Sequence, residues 1–116
     1  MNLTNTQNKD IKNILHPYTN LDAHERQGPM VIEKGDGINV IDEQGNKYIE
    51  ALSGLFCSPL GFSEKRLAEA AYDQLIKLPF YHGFGHKSSS PSIELAERLI
   101  DMAPVPMSKV FFANSG

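Results

Sequence analysis

The sequence predicts an α+β fragment built from a small antiparallel hairpin region, two amphipathic helices and one edge strand of a larger sheet. Three observations carry that prediction. β-Branched residues flank Gly-containing turns between Val31 and Glu50. Apolar residues recur at helical spacing after Ser63 and again after Ser90. Val110-Phe111-Phe112-Ala113 is a short apolar run of the buried-strand type.

Taken in order, Met1 to Asn8 is polar and reads as a loose tail. Ile11, Ile14 and Leu15 then share one side of a short helical turn that stops before Pro17, and His16-Pro17-Tyr18-Thr19 reads as an extended or turn segment. Val31 and Ile32 open a strand, Gly35-Asp36-Gly37 has turn chemistry, and Ile38-Asn39-Val40-Ile41 is a second strand. Asp42 to Asn46 is a hairpin loop. Its Asp can hydrogen-bond nearby backbone, Gly45 supplies a positive φ, and Lys47 to Glu50 returns as the partner strand.

Ala51 to Phe62 has no period and is punctuated by Ser53-Gly54, Ser58-Pro59 and Gly61. Ser63 is placed to cap a helix carrying Leu67, Ala71, Leu75 and Leu78 until Pro79. Phe80 to Ser90 is a Gly-, Ser- and His-rich loop. Ser90-Pro91 then pairs a cap residue with Pro at the first helical position, and Ile93, Ala96 and Ile100 supply the apolar side up to Met102. Val110 to Ala113 runs into Asn114-Ser115-Gly116, a small-residue turn of the kind that feeds a helix and cradles phosphate. The sequence therefore reads as truncated, since these elements alone bury their faces poorly.

The bulk numbers exclude several classes. With 116 residues the chain suits one modest domain, and 41% hydrophobic with 22% charged residues is a globular composition. A formal net charge of -3 with scattered Lys and Arg argues against nucleic-acid binding and against an acidic membrane surface. The single cysteine, Cys57, forbids an intrachain disulfide and, with no cationic neighbour in sequence, reads as inert. No apolar run approaches the roughly 20 residues that span a bilayer. The expectation is a soluble, cytoplasmic protein.

His82 and His86 stand at a spacing that could ligate zinc on a helix. Gly83 and Gly85 between them argue against a helix there, so no metal site is expected. Gly83-Phe84-Gly85 follows no strand and is not a dinucleotide fingerprint. From the residues alone, Phe56, Phe84 and Leu55 read as core, Tyr18 as packing beside a turn, and Ser115-Gly116 as a plain turn.

Read together, five stretches resemble class III (omega-type) pyridoxal-phosphate-dependent aminotransferases in order and spacing. They are His16-Pro17-Tyr18-Thr19-Asn20-Leu21, the hairpin from Gly35 to Glu50, Ser53-Gly54-Leu55-Phe56, Tyr81-His82-Gly83-Phe84-Gly85, and Val110 to Gly116. The chain departs from the pattern at Phe56, where the family often carries Trp. The resemblance implies a parent on the fold type I, aspartate-aminotransferase-like scaffold. Residues 1–15 would be its tail and short helix, 16–59 part of its smaller domain, and 60–116 the start of its large cofactor domain.

It implies cofactor-phosphate contacts from Ser115 and Gly116, and a substrate pocket that includes Tyr18, Leu55, Phe56, Phe84 and Gly85. It also implies an amine donor, a keto or aldehyde acceptor, and a homodimer with the active site at its interface. The family's Schiff-base lysine and ring-nitrogen aspartate lie downstream, so no catalytic residue is expected in this chain, and the chain alone is expected to be inactive. The competing readings are a stand-alone interaction or dimerisation module, and another pyridoxal-phosphate enzyme of the same scaffold, an aminomutase or decarboxylase.

Overall fold

Asp42 organises the hairpin, and the hairpin organises the N-terminal half of the chain. In the computed structural model, which describes residues 2–114, three strands form one antiparallel sheet of order β1-β2-β3. They are β1 (Ile32–Asp36), β2 (Asn39–Asp42) and β3 (Lys47–Ile49). Ile32 pairs with Asp42 and Lys34 with Ile41, with an irregularity between Ile32 and Lys34; on the other side Val40 pairs with Tyr48. The expected loop chemistry is present. Asp42 accepts the backbone N–H of Gln44 at 3.0 Å and of Asn46 at 2.8 Å, and Gly45 takes a φ of 86°. The first turn is shifted from the expected one, because Gly35 and Asp36 belong to the strand and Gly37, at φ 56°, turns the chain together with Ile38.

The chain divides into two compact units, Met1–Ala68 and Glu69–Gly116. In the first unit the polar beginning is not the expected tail. Helix α1 (Asn5–Asn13) starts on a capping box. The Thr4 hydroxyl accepts the Gln7 N–H at 3.2 Å, and the Gln7 side chain accepts the Thr4 N–H at 2.9 Å. The same Thr4 hydroxyl donates to Glu43 at 2.9 Å, and the Gln7 amide donates to the Pro29 carbonyl at 2.9 Å. These bonds fix α1 beside the hairpin turn. The helix ends earlier than its apolar residues suggest. Ile14 is already extended, at φ -117° and ψ 127°, so Ile14 and Leu15 lie outside it.

A second short helix, α2 (Leu21–Gln27), was not expected from periodicity. Asn20 caps it by accepting the Ala23 N–H at 3.0 Å, and Gly28 ends it at φ 77°. Beyond the sheet, the single turn α3 (Ser53–Phe56) precedes helix α4 (Lys65–Lys77). Ser63 does not cap α4. Its φ is 63°, and its hydroxyl donates instead to the Gly35 carbonyl at 2.6 Å. Glu64, directly ahead of the helix, accepts the Arg66 N–H at 3.2 Å. Ser63 is drawn away because Phe62 bridges Gly37 through bonds of 2.7 and 3.1 Å, which stitches this segment across the β1–β2 turn.

In the second unit, helix α5 (Ser90–Met102) follows the loop, with Ser89 rather than Ser90 at the cap position and Pro91 within the first turn. The edge strand expected at Val110 to Ala113 does not form among the described residues. A buried-type strand exists only when paired on a sheet, and Phe111 stands 92% exposed. No apolar side chain is fully buried among the described residues; Leu67 and Leu75 of α4 and Ile93 and Leu99 of α5 are exposed, while Ala96 and Ile100 of α5 are half-buried. Patterning this regular implies burial against further protein surface.

Candidate functional site

Four consecutive residues in the first unit have positive φ: Ser53 at 52°, Gly54 at 59°, Leu55 at 59° and Phe56 at 66°. Gly54 and Leu55 also have ψ of 43° and 53°, so α3 is a left-handed turn. For L-residues this geometry costs roughly 1–2 kcal/mol each, because Cβ crowds the following carbonyl oxygen. Such strain persists only where neighbouring structure enforces it. Glu50 enforces it here. Its carboxylate accepts the Leu52 N–H at 2.9 Å and the Gly54 N–H at 2.7 Å. The Phe56 N–H then donates to the Leu52 carbonyl at 2.9 Å, and Ser58 N–H to the Ser53 carbonyl at 2.8 Å. The turn displays Leu55 and Phe56 outward, 67% and 77% exposed. The core reading of these two residues therefore fails within this chain.

Tyr18 sits on another left-handed position, φ 52°, with its ring fully exposed. The Thr19 hydroxyl donates to the Pro17 carbonyl at 2.8 Å and tightens that turn. In the second unit, Tyr81 stacks on His82 at 4.8 Å between ring centroids, and His82 on Phe84 at 5.7 Å. The Phe84 N–H donates to His82 Nδ1 at 3.2 Å, which fixes that nitrogen as an acceptor. Gly85 and His86 follow with φ of 64° and 63°, so Gly85 serves the bend of the loop. Tyr18, Leu55 and Phe56 thus belong to the first unit, and Phe84 and Gly85 to the second. Ser115 and Gly116, expected at the cofactor phosphate, lie outside the described residues.

One constellation escaped the sequence reading. Asp10 Oδ1 lies 2.9 Å from His16 Nε2 and 3.0 Å from His24 Nε2. Desolvation pushes the Asp10 carboxyl up, but the hydrogen bonds from His16 and then His24 outweigh it and hold it below the usual carboxylate range. A groove of about 500 Å³ opens beside it, lined by Lys9, Asp10, His16, Met30 and Ile32. None of the residues expected in the substrate pocket lines that groove.

The likeness to known proteins covers nearly the whole chain. Over residues 21–116 it matches the family Aminotransferase class-III. It is 60% identical to the omega transaminase from Pseudomonas jessenii in complex with PMP, at a TM-score of 0.92, over 97% of this chain and 25% of that one. It is 44% identical to gamma aminobutyrate transaminase 1, mitochondrial, of Solanum lycopersicum, over 98% of this chain and 23% of that protein. It is 53% identical to vanillin aminotransferase of Capsicum annuum over 76% of this chain and 19% of that protein. The chain thus spans about a quarter or less of the length of the relatives it matches. By a family match that begins at Leu21 and takes in the left-handed turn and the aromatic loop, this chain belongs to the class III aminotransferases.

Proposed function

We propose that this chain is the early, substrate-facing portion of a pyridoxal-phosphate-dependent aminotransferase that moves an amino group from an amine donor to a keto or aldehyde acceptor. The observation that carries the reading is the left-handed turn, in which a carboxylate is committed to holding Leu55 and Phe56 out of their own unit. Two apolar side chains presented on an enforced backbone suit one wall of a pocket for an amine with a bulky apolar substituent. Tyr18, Phe84 and Gly85 are assigned to the same pocket on the family resemblance. A homodimer is likewise assigned on the family resemblance.

The described residues do not themselves fit a complete cofactor site. Every lysine of the chain is exposed, whereas a Schiff-base lysine works from a desolvated position that makes its amine available. Pyridoxal phosphate would supply the electron sink for the transfer. This chain would bind and orient the donor's apolar group and keep water from it.

The test is a transamination assay with the amine donor and acceptor varied, run on the complete protein loaded with pyridoxal phosphate and on the 116-residue chain alone. The complete protein should form the aminated acceptor, and the chain alone should not. Decarboxylation, or migration of the amino group within one substrate, would replace this reading with that of a decarboxylase or aminomutase. Turnover by the purified chain alone would overturn the assignment of its role.

A further inference from the structure

We propose that Asp10, His16 and His24 form a binding site for a divalent transition-metal cation of the zinc type, separate from the transamination chemistry. The three residues come from different places: Asp10 from α1, His16 from the irregular segment after it, and His24 from α2. Each donor atom nevertheless lies within 4.8 Å of the other two. Both imidazoles aim Nε2 at one carboxylate, and the two rings sit 4.5 Å apart at 45°.

Zinc bonds to imidazole nitrogen at about 2.0–2.1 Å and to carboxylate oxygen at about 2.0–2.2 Å. Tetrahedral donors at those lengths stand roughly 3.3 Å apart. The carboxylate oxygen is already 2.9 and 3.0 Å from the two nitrogens, close to that separation. Two imidazoles and one carboxylate form a donor set suited to zinc and its first-row neighbours rather than to calcium or magnesium.

The surroundings fit a bound ion. The side chains are 16% exposed for Asp10, 11% for His24 and 30% for His16, so the site is partly withdrawn from water but reachable. The groove beside Asp10 and His16 leaves room for water at the remaining positions. Lys9 lines the same groove and opposes a cation, which favours an ion held by short nitrogen bonds over one held by charge alone. None of Tyr18, Leu55, Phe56, Phe84 or Gly85 contributes a ligand. A bound ion would tie α1, the Pro17 turn and α2 together.

The experiment uses the complete, tag-free protein with its cofactor, stripped of metal by a chelator. Cobalt(II) and zinc(II) are titrated separately, read by visible d–d absorption for cobalt and by calorimetry for zinc. One ion should bind per chain, with a cobalt spectrum of low symmetry. His24→Gln and Asp10→Asn should each weaken zinc binding by about tenfold or more, and His16→Gln, which keeps a hydrogen-bonding group, should do the same. Transamination should persist in any variant whose circular dichroism matches the parent. No saturable binding to the stripped protein would overturn the proposal, as would unchanged affinity in the correctly folded variants. Either result would leave the cluster a plain hydrogen-bonded clasp.

Discussion

Glu50 reaches four residues ahead to accept the Gly54 N–H at 2.7 Å, and with its other oxygen it accepts the Leu52 N–H at 2.9 Å. That single side chain opposes the strain of three non-glycine residues at positive φ, of order 3–6 kcal/mol on general grounds. Without the carboxylate, Leu55 and Phe56 have a cheaper right-handed alternative. Glu50→Ala in the complete enzyme should therefore raise KM for bulky amine donors by roughly tenfold, since displacement by about an ångström is costly in an oriented site. Glu50→Gln keeps one acceptor oxygen and should fall between. Steady-state kinetics with a small and a bulky donor make the comparison. An equal change for both donors would show a general loss of folding rather than a displaced wall.

Gly35 has no substitute. A Cβ built on it would lie 2.4 Å from Cβ of Phe62 and 2.5 Å from its ring, closer than two carbons can approach. Gly35→Ala should destabilise the protein by roughly 1–3 kcal/mol through overpacking. Urea unfolding of Gly35→Ala, Phe62→Ala and the double variant gives the coupling. The double variant should be somewhat less destabilised than the sum of the singles, because Phe62→Ala removes the ring carbon at 2.5 Å, although the Cβ at 2.4 Å remains. Additive losses would mean that the segment from Gly61 to Ser63 moves aside freely.

Much of the hairpin was legible because its signals are local. Asp42 and Gly45 act within a few residues of themselves, and the observed bonds are the ones their side-chain chemistry dictates. Helix α2 was not legible from periodicity, because seven residues are too few to show it, and its cap at Asn20 was the usable signal. The capping box of Thr4 and Gln7 was also visible in principle, masked by the polar composition around it. Ser63 misled because a distant carbonyl, that of Gly35, competes for its hydroxyl. The His16–Asp10–His24 convergence depends on three elements folding back together, which no spacing along the chain encodes. Val110 to Ala113 shows the opposite limit, a strand-like sequence without a sheet partner in its unit.

Phe56 should set donor size if the left-handed turn is a pocket wall. It is held out of its own unit, so truncating it removes little packing within this chain. Phe56→Ala should leave the melting temperature of the complete enzyme within about 2 °C, a change below about 0.5 kcal/mol. It should also raise kcat/KM for donors whose substituent exceeds a phenyl ring, relative to small donors. Kinetics across a series of increasing donor size reads this out. A flat ratio along the series would remove Phe56 from the pocket.

Asp42 links the hairpin to pH. It is the one buried polar residue among those described, 5% exposed. The Asn46 side-chain amide at 3.0 Å does most to hold its carboxyl below the usual range. Desolvation opposes that effect, and the Tyr48 hydroxyl at 2.8 Å and the backbone N–H groups of Asn46 and Gln44 add to it. A carboxyl with a lowered folded pKa stabilises the fold above its unfolded pKa, about 3.9 for Asp, and that contribution fades as pH falls through the folded value. Tyr48 is shifted the other way. Donation to Asp42, reinforced by desolvation, raises its pKa, so its contribution holds below about 10 and is lost as pH rises through the folded value. Asp42→Asn should therefore lower the urea midpoint of unfolding at pH 7, and the gap from the parent should narrow as pH drops below about 4. Tyr48→Phe should reproduce part of the loss at pH 7, because it removes one of the four bonds to the Asp42 carboxylate. A gap between Asp42→Asn and the parent that stays constant from pH 7 to well below pH 4 would show that the carboxylate's charge does not matter to the turn.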